Sequence, residues 1–164
     1  SIDFVMDVNG FKGPNSEARN GKQYDIRSFK VARFSTGCAG NDINGFGCIY
    51  QLPSYSPIKA GDPEMDKWDP NWKNLDYSDR DNYWAGAKKA CDDIGMSLPD
   101  KSKLESLAKK TTAEKVHLGL PTSGNFWSSS ESGALSAYYV DFNGGYTHYN
   151  GKDGNYYRVL CVGD

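Results

Sequence analysis

Apolar and polar positions alternate near the start of this chain and give way to an apolar run near its end. Every second residue is apolar over Ile2, Phe4, Met6 and Val8, and this period of two predicts a half-buried β-strand. The run Val159–Val162 predicts a second strand close to the C-terminus. The chain is therefore expected to begin and end in β-structure.

A helical period predicts a first helix in the middle of the chain. Its apolar positions share one face and include a cysteine, which is expected to point into the core: Trp84, Ala87, Cys91 and Ile94. Asp79 or Asp81 is the expected N-cap, because a short carboxylate side chain accepts the free amide hydrogens of a first turn. Gly95 is expected to end the helix in left-handed backbone.

A second helix is predicted directly after Leu98-Pro99. Asp100 is its expected N-cap, and its inner side carries Leu104, Leu107 and Ala108. Lysines occupy the outer side: Lys101, Lys103, Lys109 and Lys110. Two helices between β regions predict an α+β domain.

The stretch Phe126–Val162 is polar and aromatic in its middle. Between residues 124 and 157, Tyr, Ser, Gly and Asn account for 21 of 34 positions, a composition that antibody-type binding surfaces favour. Two β-prone runs, Tyr138–Phe142 and Tyr146–Tyr149, flank an Asn-Gly-Gly turn and predict a hairpin. A second hairpin or a loop follows through residues 150–154. The alternative to a binding surface is that this stretch forms an ordinary polar face of an antiparallel sheet.

The period of two separates the two faces of the predicted hairpin. Val140 is expected to face the core while Tyr139 faces solvent. The candidate ligand contacts are Tyr139, Asp141, Tyr146, His148, Asn150, Asp153, Asn155 and Tyr156. Trp127 is expected to be a buried support. A shift of one residue would exchange the roles of Tyr138 and Tyr157 with those of their neighbours.

Composition narrows the class of protein. A chain of 164 residues is expected to form a single domain over 1–164, and 13% aromatic residues with 18 glycines indicate a loop-rich globule. A net charge of −2 without long runs of one sign gives no electrostatic support for a nucleic-acid partner. The sequence shows neither a membrane-spanning run nor a signal peptide, so any export or anchoring segment is expected to have been removed.

The four cysteines, Cys38, Cys48, Cys91 and Cys161, lack the paired spacing of a zinc site. An even number predicts two disulfides in an oxidising compartment, with three possible pairings; four reduced thiols are the alternative. Pairing Cys38 with Cys48 would close a short loop and contribute about 3 kcal/mol in the chain-entropy model.

Calcium is a weak candidate at the N-terminal end. Asp7, Asn9 and Asp25 could supply hard oxygen ligands. The Asp-x-Asn-Gly-Phe pattern recurs at Asp42–Phe46, and neither copy has the distal Glu of an EF-hand, so turn formation explains both copies. We therefore expect no cofactor.

The first 35 residues resemble a bacterial surface family. Asp7–Asn15 and Gly21–Ile26 resemble the segment after the N-terminal helix of type IV pilin-like and pseudopilin-like proteins. This resemblance implies a pilin-like β segment over 1–35, with a hydrophobic pilin helix removed ahead of it.

Residues 75–164 resemble the bacterial C-type-lectin-like domains of the DUF1566 type. The matching pattern runs from Trp84 and Cys91 through Leu98-Pro99 and Phe126–Glu131 to Arg158–Val162. The resemblance implies a C-type-lectin-like core with two helices, a terminal antiparallel sheet, C-terminal recognition hairpins and a disulfide between Cys91 and Cys161. The Glu-Pro-Asn, Gln-Pro-Asp and Trp-Asn-Asp motifs of calcium-dependent sugar binding do not occur in the sequence, which argues against that activity.

The same stretch also resembles the variable proteins of diversity-generating retroelements, in bacteria or phage. That resemblance implies a hypervariable C-terminal face, since mutated Asn codons readily yield the Tyr, Ser, Asp, His and Gly found there.

These patterns predict an exported adhesin or receptor-binding protein, extracellular or on the cell surface, whose partner is an unknown surface protein or glycan. A structural pilin subunit and a modifying or hydrolytic enzyme are the alternatives. Catalysis is not expected, because the only histidines are His117 and His148 and no nucleophile turn accompanies them.

Overall fold

The computed structural model of this protein describes residues 33–34, 37–73 and 79–163. The chain divides into two compact units, Ser1–Gly37 and Cys38–Asp164, and the account below concerns the second unit. The calcium candidates Asp7, Asn9 and Asp25, and the pilin-like segment apart from residues 33–34, lie outside the described residues. The calcium site and the pilin-like segment therefore stay predictions.

The described strands of the second unit form two antiparallel sheets of three strands, ordered β3-β4-β8 and β5-β6-β7. These six strands are β3 (Asn41–Ile43), β4 (Gly47–Gln51), β5 (Asn125–Glu131), β6 (Ser136–Asp141), β7 (Tyr146–Gly151) and β8 (Leu160–Gly163). Two short strands precede them in the chain, β1 (Arg33–Phe34) in the first unit and β2 (Gly37–Cys38) where the two units meet in sequence.

The antiparallel sheet structure expected at the C-terminal end is confirmed. The last strand, β8, pairs with β4, which places Tyr50 opposite Cys161, and not with the hairpin. Of the hairpin or loop expected at residues 150–154, the structure shows the loop, which connects β7 to β8. Sequence pattern identifies a strand but carries little information about a partner 110 residues away.

The described residues contain four helices where the sequence predicted two. They are α1 (Met65–Trp68), α2 (Tyr83–Asp93), α3 (Lys101–Ala108) and α4 (Thr112–Leu118). The two predicted helices are confirmed as α2 and α3, and the α+β class is confirmed with them.

The N-cap of α2 is Asn82 and not the expected Asp79 or Asp81. The Asn82 side chain accepts a hydrogen bond from the Ala85 amide at 2.8 Å, while Asp81 accepts one from the Ala60 amide at 3.0 Å. The other two predicted helix ends are confirmed. Asp100 caps the start of α3 by accepting from the amide of Lys103 at 2.8 Å. Gly95 follows the end of α2 in left-handed backbone, with a φ of 77°.

Helix α4 was missed, although the sequence holds a signal for it. Thr111 and Glu114 form a capping box, in which each side chain accepts from the backbone of the other residue. Buried Lys115 ties the helix down by donating to the carbonyls of Ala108 at 2.7 Å and Phe142 at 2.6 Å. Seven residues are too few for a helical period to stand out.

The main core lies between α3 and the β5-β6 pair. Leu104 and Leu107 of α3 pack against Phe126 of β5 and Val140 of β6, and the rings of Phe126 and Phe142 lie 4.7 Å apart. All five side chains are fully buried. The predicted inward direction of Val140 is confirmed.

Two disulfides are confirmed, and both pairs are those singled out from the sequence and its resemblance. Cys38 bonds to Cys48, and Cys91 of α2 bonds to Cys161 of β8. Cys91 and Cys161 are fully buried, as expected for a helix face that carries a cysteine inward. The second bond joins two elements 70 residues apart and fixes α2 against the β4-β8 pair.

Candidate functional site

The β6-β7 hairpin presents one face to solvent. Tyr139 lies opposite His148, Asp141 opposite Tyr146, and Ala137 opposite Asn150. Directly opposed residues of an antiparallel pair share a face. Five of the predicted contact residues therefore lie on one face, which we call the aromatic face: Tyr139, Asp141, Tyr146, His148 and Asn150.

The other face of the hairpin packs toward α3. The Thr147 hydroxyl donates to the carboxylate of Glu105, and the ammonium of Lys101 lies 3.9 Å from the centre of the Tyr138 ring. Buried Val140 belongs to this face. Helix α3 covers part of this side of the sheet, whereas Tyr146, His148 and Asn150 on the aromatic face are exposed.

A row of rings runs across the aromatic face. The Tyr139 ring lies 5.7 Å from His148 on one side and 4.3 Å from Tyr157 on the other. Partial burial and the neighbouring Tyr157 hydroxyl raise the pKa of Tyr139 above its ordinary value. The Asn150 side chain donates to the Tyr157 hydroxyl at 3.0 Å, which holds that ring in place. The rings form one continuous, pre-ordered surface.

Trp127 lies opposite Tyr139 in the β5-β6 pair, on the same side of the sheet as this row, and is fully buried, as predicted. Its ring lies 4.8 Å from Tyr157 and 6.5 Å from Tyr139, both in edge-on contact. The Trp127 indole nitrogen makes no hydrogen bond of regular geometry within the described part of the chain. Packing fixes this side chain, and its removal would leave a cavity beside the rings.

A second aromatic group adjoins the row and depends on Tyr55. The Tyr55 hydroxyl donates to the carbonyl of Tyr157 at 2.5 Å, and its ring stacks on Tyr156 at 4.7 Å. Burial raises the pKa of Tyr55, against the opposing effect of the Trp127 N–H. The Tyr156 hydroxyl donates to the Tyr55 carbonyl at 3.0 Å. Tyr156 is thus both a partly exposed ring and a loop anchor.

The loop between β7 and β8 is held by a buried lysine. Lys152 is fully buried, and its ammonium donates to Asp69 at 2.9 Å, Glu131 at 2.6 Å and the Ala134 carbonyl at 2.9 Å. It also lies 4.3 Å from the centre of the Trp84 ring. The three acceptors match the three donors of an ammonium group. This contact anchors the start of the loop that carries Tyr156 and Tyr157.

The carboxylates around Lys152 differ in exposure. Asp69 is fully buried and also accepts from the Asn82 side chain at 2.8 Å, but its other oxygen has no partner among the described residues. Glu131 is partly exposed. Burial alone would raise its pKa, but the hydrogen bond and the charge of Lys152, together with Asn71 and Lys88, lower it. Burial lowers the pKa of Lys88, which lies 3.8 Å from the Trp84 ring.

Three predicted contact residues lie off the aromatic face. Asp153 forms an ion pair with Arg80 at 2.6 Å, and the Asn155 side chain donates to the Gly151 carbonyl at 2.8 Å. Tyr156 belongs to the Tyr55 group. Their hydrogen bonds order the loop.

Asp141 and Tyr146 sit at the hairpin turn. The Asp141 carboxylate accepts from the Asn143 amide at 2.8 Å, which fixes the turn. The Tyr146 ring lies over Gly144, where a Cβ would come within 2.6 Å of a ring carbon. Gly144 has a φ of 108°, so both its conformation and its close contact require glycine.

Sequence reasoning missed two main supports of the site, Tyr55 and Lys152. Tyr55 lies 101 residues from its partner Tyr156, and no local pattern connects them. Lys152 follows a Gly in a polar turn, and nothing in the sequence near it shows that Asp69 and Glu131 converge on its position.

The arrangement offers ring faces, hydroxyls, amides and one imidazole. These groups suit recognition of a surface by stacking and adaptable hydrogen bonds. The other histidine, His117, is exposed on α4. Within the described ranges, no three His, Cys, Asp or Glu side chains are grouped as a metal would require. Among the same residues, no helix combines the length and apolar character needed to cross a bilayer.

Fold and surface together define a disulfide-bonded α+β binding domain. A family model named InvE_AD and described as an adhesion domain matches residues 51–162. That match spans most of the chain, so the protein belongs to this adhesion-domain family. A search of curated proteins gave no match.

The matched residues include the aromatic face, the Tyr55 group and Lys152 with its partners. Family membership supports an adhesin-like role directed at a surface target. With the two disulfides, it indicates an extracellular or cell-surface protein.

Proposed function

We propose that this domain adheres to its target through the aromatic face, with the Tyr55 group as a second part of the same surface. The observation that carries the proposal is the row of His148, Tyr139 and Tyr157 rings, ordered by hydrogen bonds and supported by buried Trp127. Rings that are already ordered lose little conformational entropy on binding. The target is a surface protein or glycan.

Exposure of Tyr146 adds to this argument. Its side chain is 64% exposed, next to Asp141 and two positions from His148 on the same strand face. Large exposed aromatic residues are the usual energetic anchors of protein interfaces. Tyr149 is equally exposed, at 65%, but lies on the opposite face of the same strand. Substitutions at Tyr146 and Tyr149 therefore provide a matched test of which face binds the target.

The test replaces each tyrosine by alanine and measures binding to arrays of extracellular proteins and of glycans. Tyr146→Ala is expected to weaken binding to the target found with the native domain by about tenfold or more, while Tyr149→Ala leaves it within about twofold. Equal losses in both variants, at unchanged melting temperature, would contradict the assignment of the face.

We further propose that the aromatic face varies in sequence while its supports do not. Solvent-accessible positions carry Tyr, Asp, His and Asn, whereas the buried positions carry Trp127 on the same side of the sheet and Val140 on the other. That separation would let surface residues change without loss of the fold. A near-identical, adenine-rich repeat beside the gene is the expected observation; a gene neighbourhood with no such repeat and no reverse transcriptase would contradict the proposal.

The C-type-lectin-like assignment is part of the same proposal. Its support is the pairing of β8 with β4 and the disulfide that joins α2 to β8. We propose binding without calcium, because the sugar-binding motifs of those lectins do not occur in the sequence. Binding that survives a chelator is expected, and loss of binding restored by calcium would overturn this point.

No catalytic step belongs to the proposed function. His148 packs against Tyr139, and its neighbours on the strand face are Tyr146 and Asn150, which do not form a nucleophile and base pair. Turnover of any substrate that His148→Ala abolishes would favour the enzyme alternative.

A further inference from the structure

A pocket of about 480 Å³ opens beside the Tyr55 group, between the end of β4 and the residues that lead into β8. It is lined by Gln51, Leu52, Pro53, Ser54, Tyr55, Tyr156, Tyr157, Arg158 and Val159. This volume suits one sugar ring with its substituents better than an extended peptide. Arg158 is the only charged residue in the lining.

The guanidinium of Arg158 is available to a ligand. Arg158 is exposed and forms no ion pair with any described residue. Its side chain lies along Gly124, where an added Cβ would approach both its Cδ and Nη1 atoms to 3.3 Å. The glycine thus leaves room for the arginine to lie against the backbone. A guanidinium presents paired N–H donors that match the two oxygens of a carboxylate.

The tyrosines of the pocket supply ring surface and not free hydroxyls. The Tyr55 hydroxyl donates to the Tyr157 carbonyl, and the Tyr156 hydroxyl donates to the Tyr55 carbonyl. With its hydroxyl held, the 55% exposed side chain of Tyr156 offers an ordered, largely apolar wall. Such walls pack against the C–H face of a pyranose ring, and the side chains of Gln51 and Ser54 remain for its hydroxyls.

We propose that this pocket binds an acidic sugar at the end of a glycan, with Arg158 contacting the carboxylate and Tyr156 contacting the ring. The inference rests on the proposed adhesive function and names the ligand class for one part of its surface. Sialic acids and uronic acids share the required chemistry, namely a carboxylate attached to a pyranose. A ring-sized pocket with one cation and ordered aromatic walls favours such a sugar over an acidic peptide.

The test compares three soluble sugars by calorimetric titration against the full chain: lactose, lactose with a terminal sialic acid, and a disaccharide with a terminal uronic acid. At least one acidic sugar is expected to bind about tenfold or more tightly than lactose, and the stronger one identifies the source of the carboxylate. Arg158→Gln should reduce that sugar to the level of lactose. Arg158→Lys should retain part of the preference, because it keeps the charge without the paired donors.

Two controls make the outcome decisive. The exposed side chain of Arg158 predicts an unchanged melting temperature for Arg158→Gln, and Tyr149→Ala, on the far face of the hairpin, should bind the sugars like the native domain. Equal binding of all three sugars, or a preference that Arg158→Gln leaves intact, would overturn the proposal. Arginine-dependent binding of an Asp-rich hexapeptide without acidic-sugar binding would overturn it as well. If Tyr146→Ala still abolished adhesion in those cases, the proposed function would stand without this subsite.

Discussion

Replacement of Lys152 by methionine is the sharpest test of how the binding loop is held. Methionine has a similar length and volume, so the substitution removes the charge and its three hydrogen bonds without opening a large cavity. It leaves the carboxyl group of Asp69 fully buried, with only the Asn82 side chain as a donor among the described residues. Glu131 loses its closest partner, at 2.6 Å, but can turn toward solvent because it is partly exposed.

The expected loss of stability comes mainly from Asp69, because Asp69 stays buried while Glu131 can turn toward solvent. Removal of one partner of a buried ion pair typically costs about 3–5 kcal/mol, because the remaining charge stays buried without compensation. A domain has a stability of only about 5–15 kcal/mol, so this is a large fraction of the total. At about 2–4 °C per kcal/mol for a chain of this size, the melting temperature should fall by roughly 10 °C.

Urea denaturation followed by tryptophan fluorescence measures the change, with Lys89→Met as the matched control. Lys89 pairs with Asp93 on the surface of α2, and the same substitution there should cost less than about 0.5 kcal/mol. Adding Asp69→Asn to Lys152→Met should recover part of the loss, since the uncompensated charge is then gone. A cost for Lys152→Met that equals the cost for Lys89→Met would refute the reasoning.

Three further outcomes are expected. Trp127→Ala should destabilise the domain by about 3–5 kcal/mol in the same urea assay, and a cost near zero would mean that Trp127 is not the buried support of the rings. Replacement of both Cys91 and Cys161 by serine should cost about 4 kcal/mol for a 70-residue separation, and unchanged stability would show that the bond adds no constraint. Because its folded pKa is lowered, Glu131 contributes stability that is present above about pH 4.5 and lost as the pH falls through the folded value. Glu131→Gln should flatten that part of the stability profile, measured by thermal melts from pH 3 to 6, and an unaltered profile would exclude the Lys152 contact as its cause.

The sequence by itself determined the elements with strong local patterns. Helices α2 and α3 have apolar faces of helical period, and the β6-β7 hairpin has a Gly-rich turn between β-prone runs. The alternation along β6 placed Tyr139 and Val140 on opposite faces, because the two sides of a strand differ in their contact with the core. Local pattern likewise indicated a cysteine facing inward at Cys91.

Only the tertiary structure decided which elements meet. Pairing of β4 with β8 and the approach of Tyr55 to Tyr156 join residues about 100 positions apart, and hydrogen bonding of backbone groups is nearly independent of sequence. Lys152 is the clearest case. A lysine in a polar turn is normally solvated, and it is buried here because Asp69 and Glu131, from distant parts of the chain, converge on its ammonium and offset the cost of removing it from water.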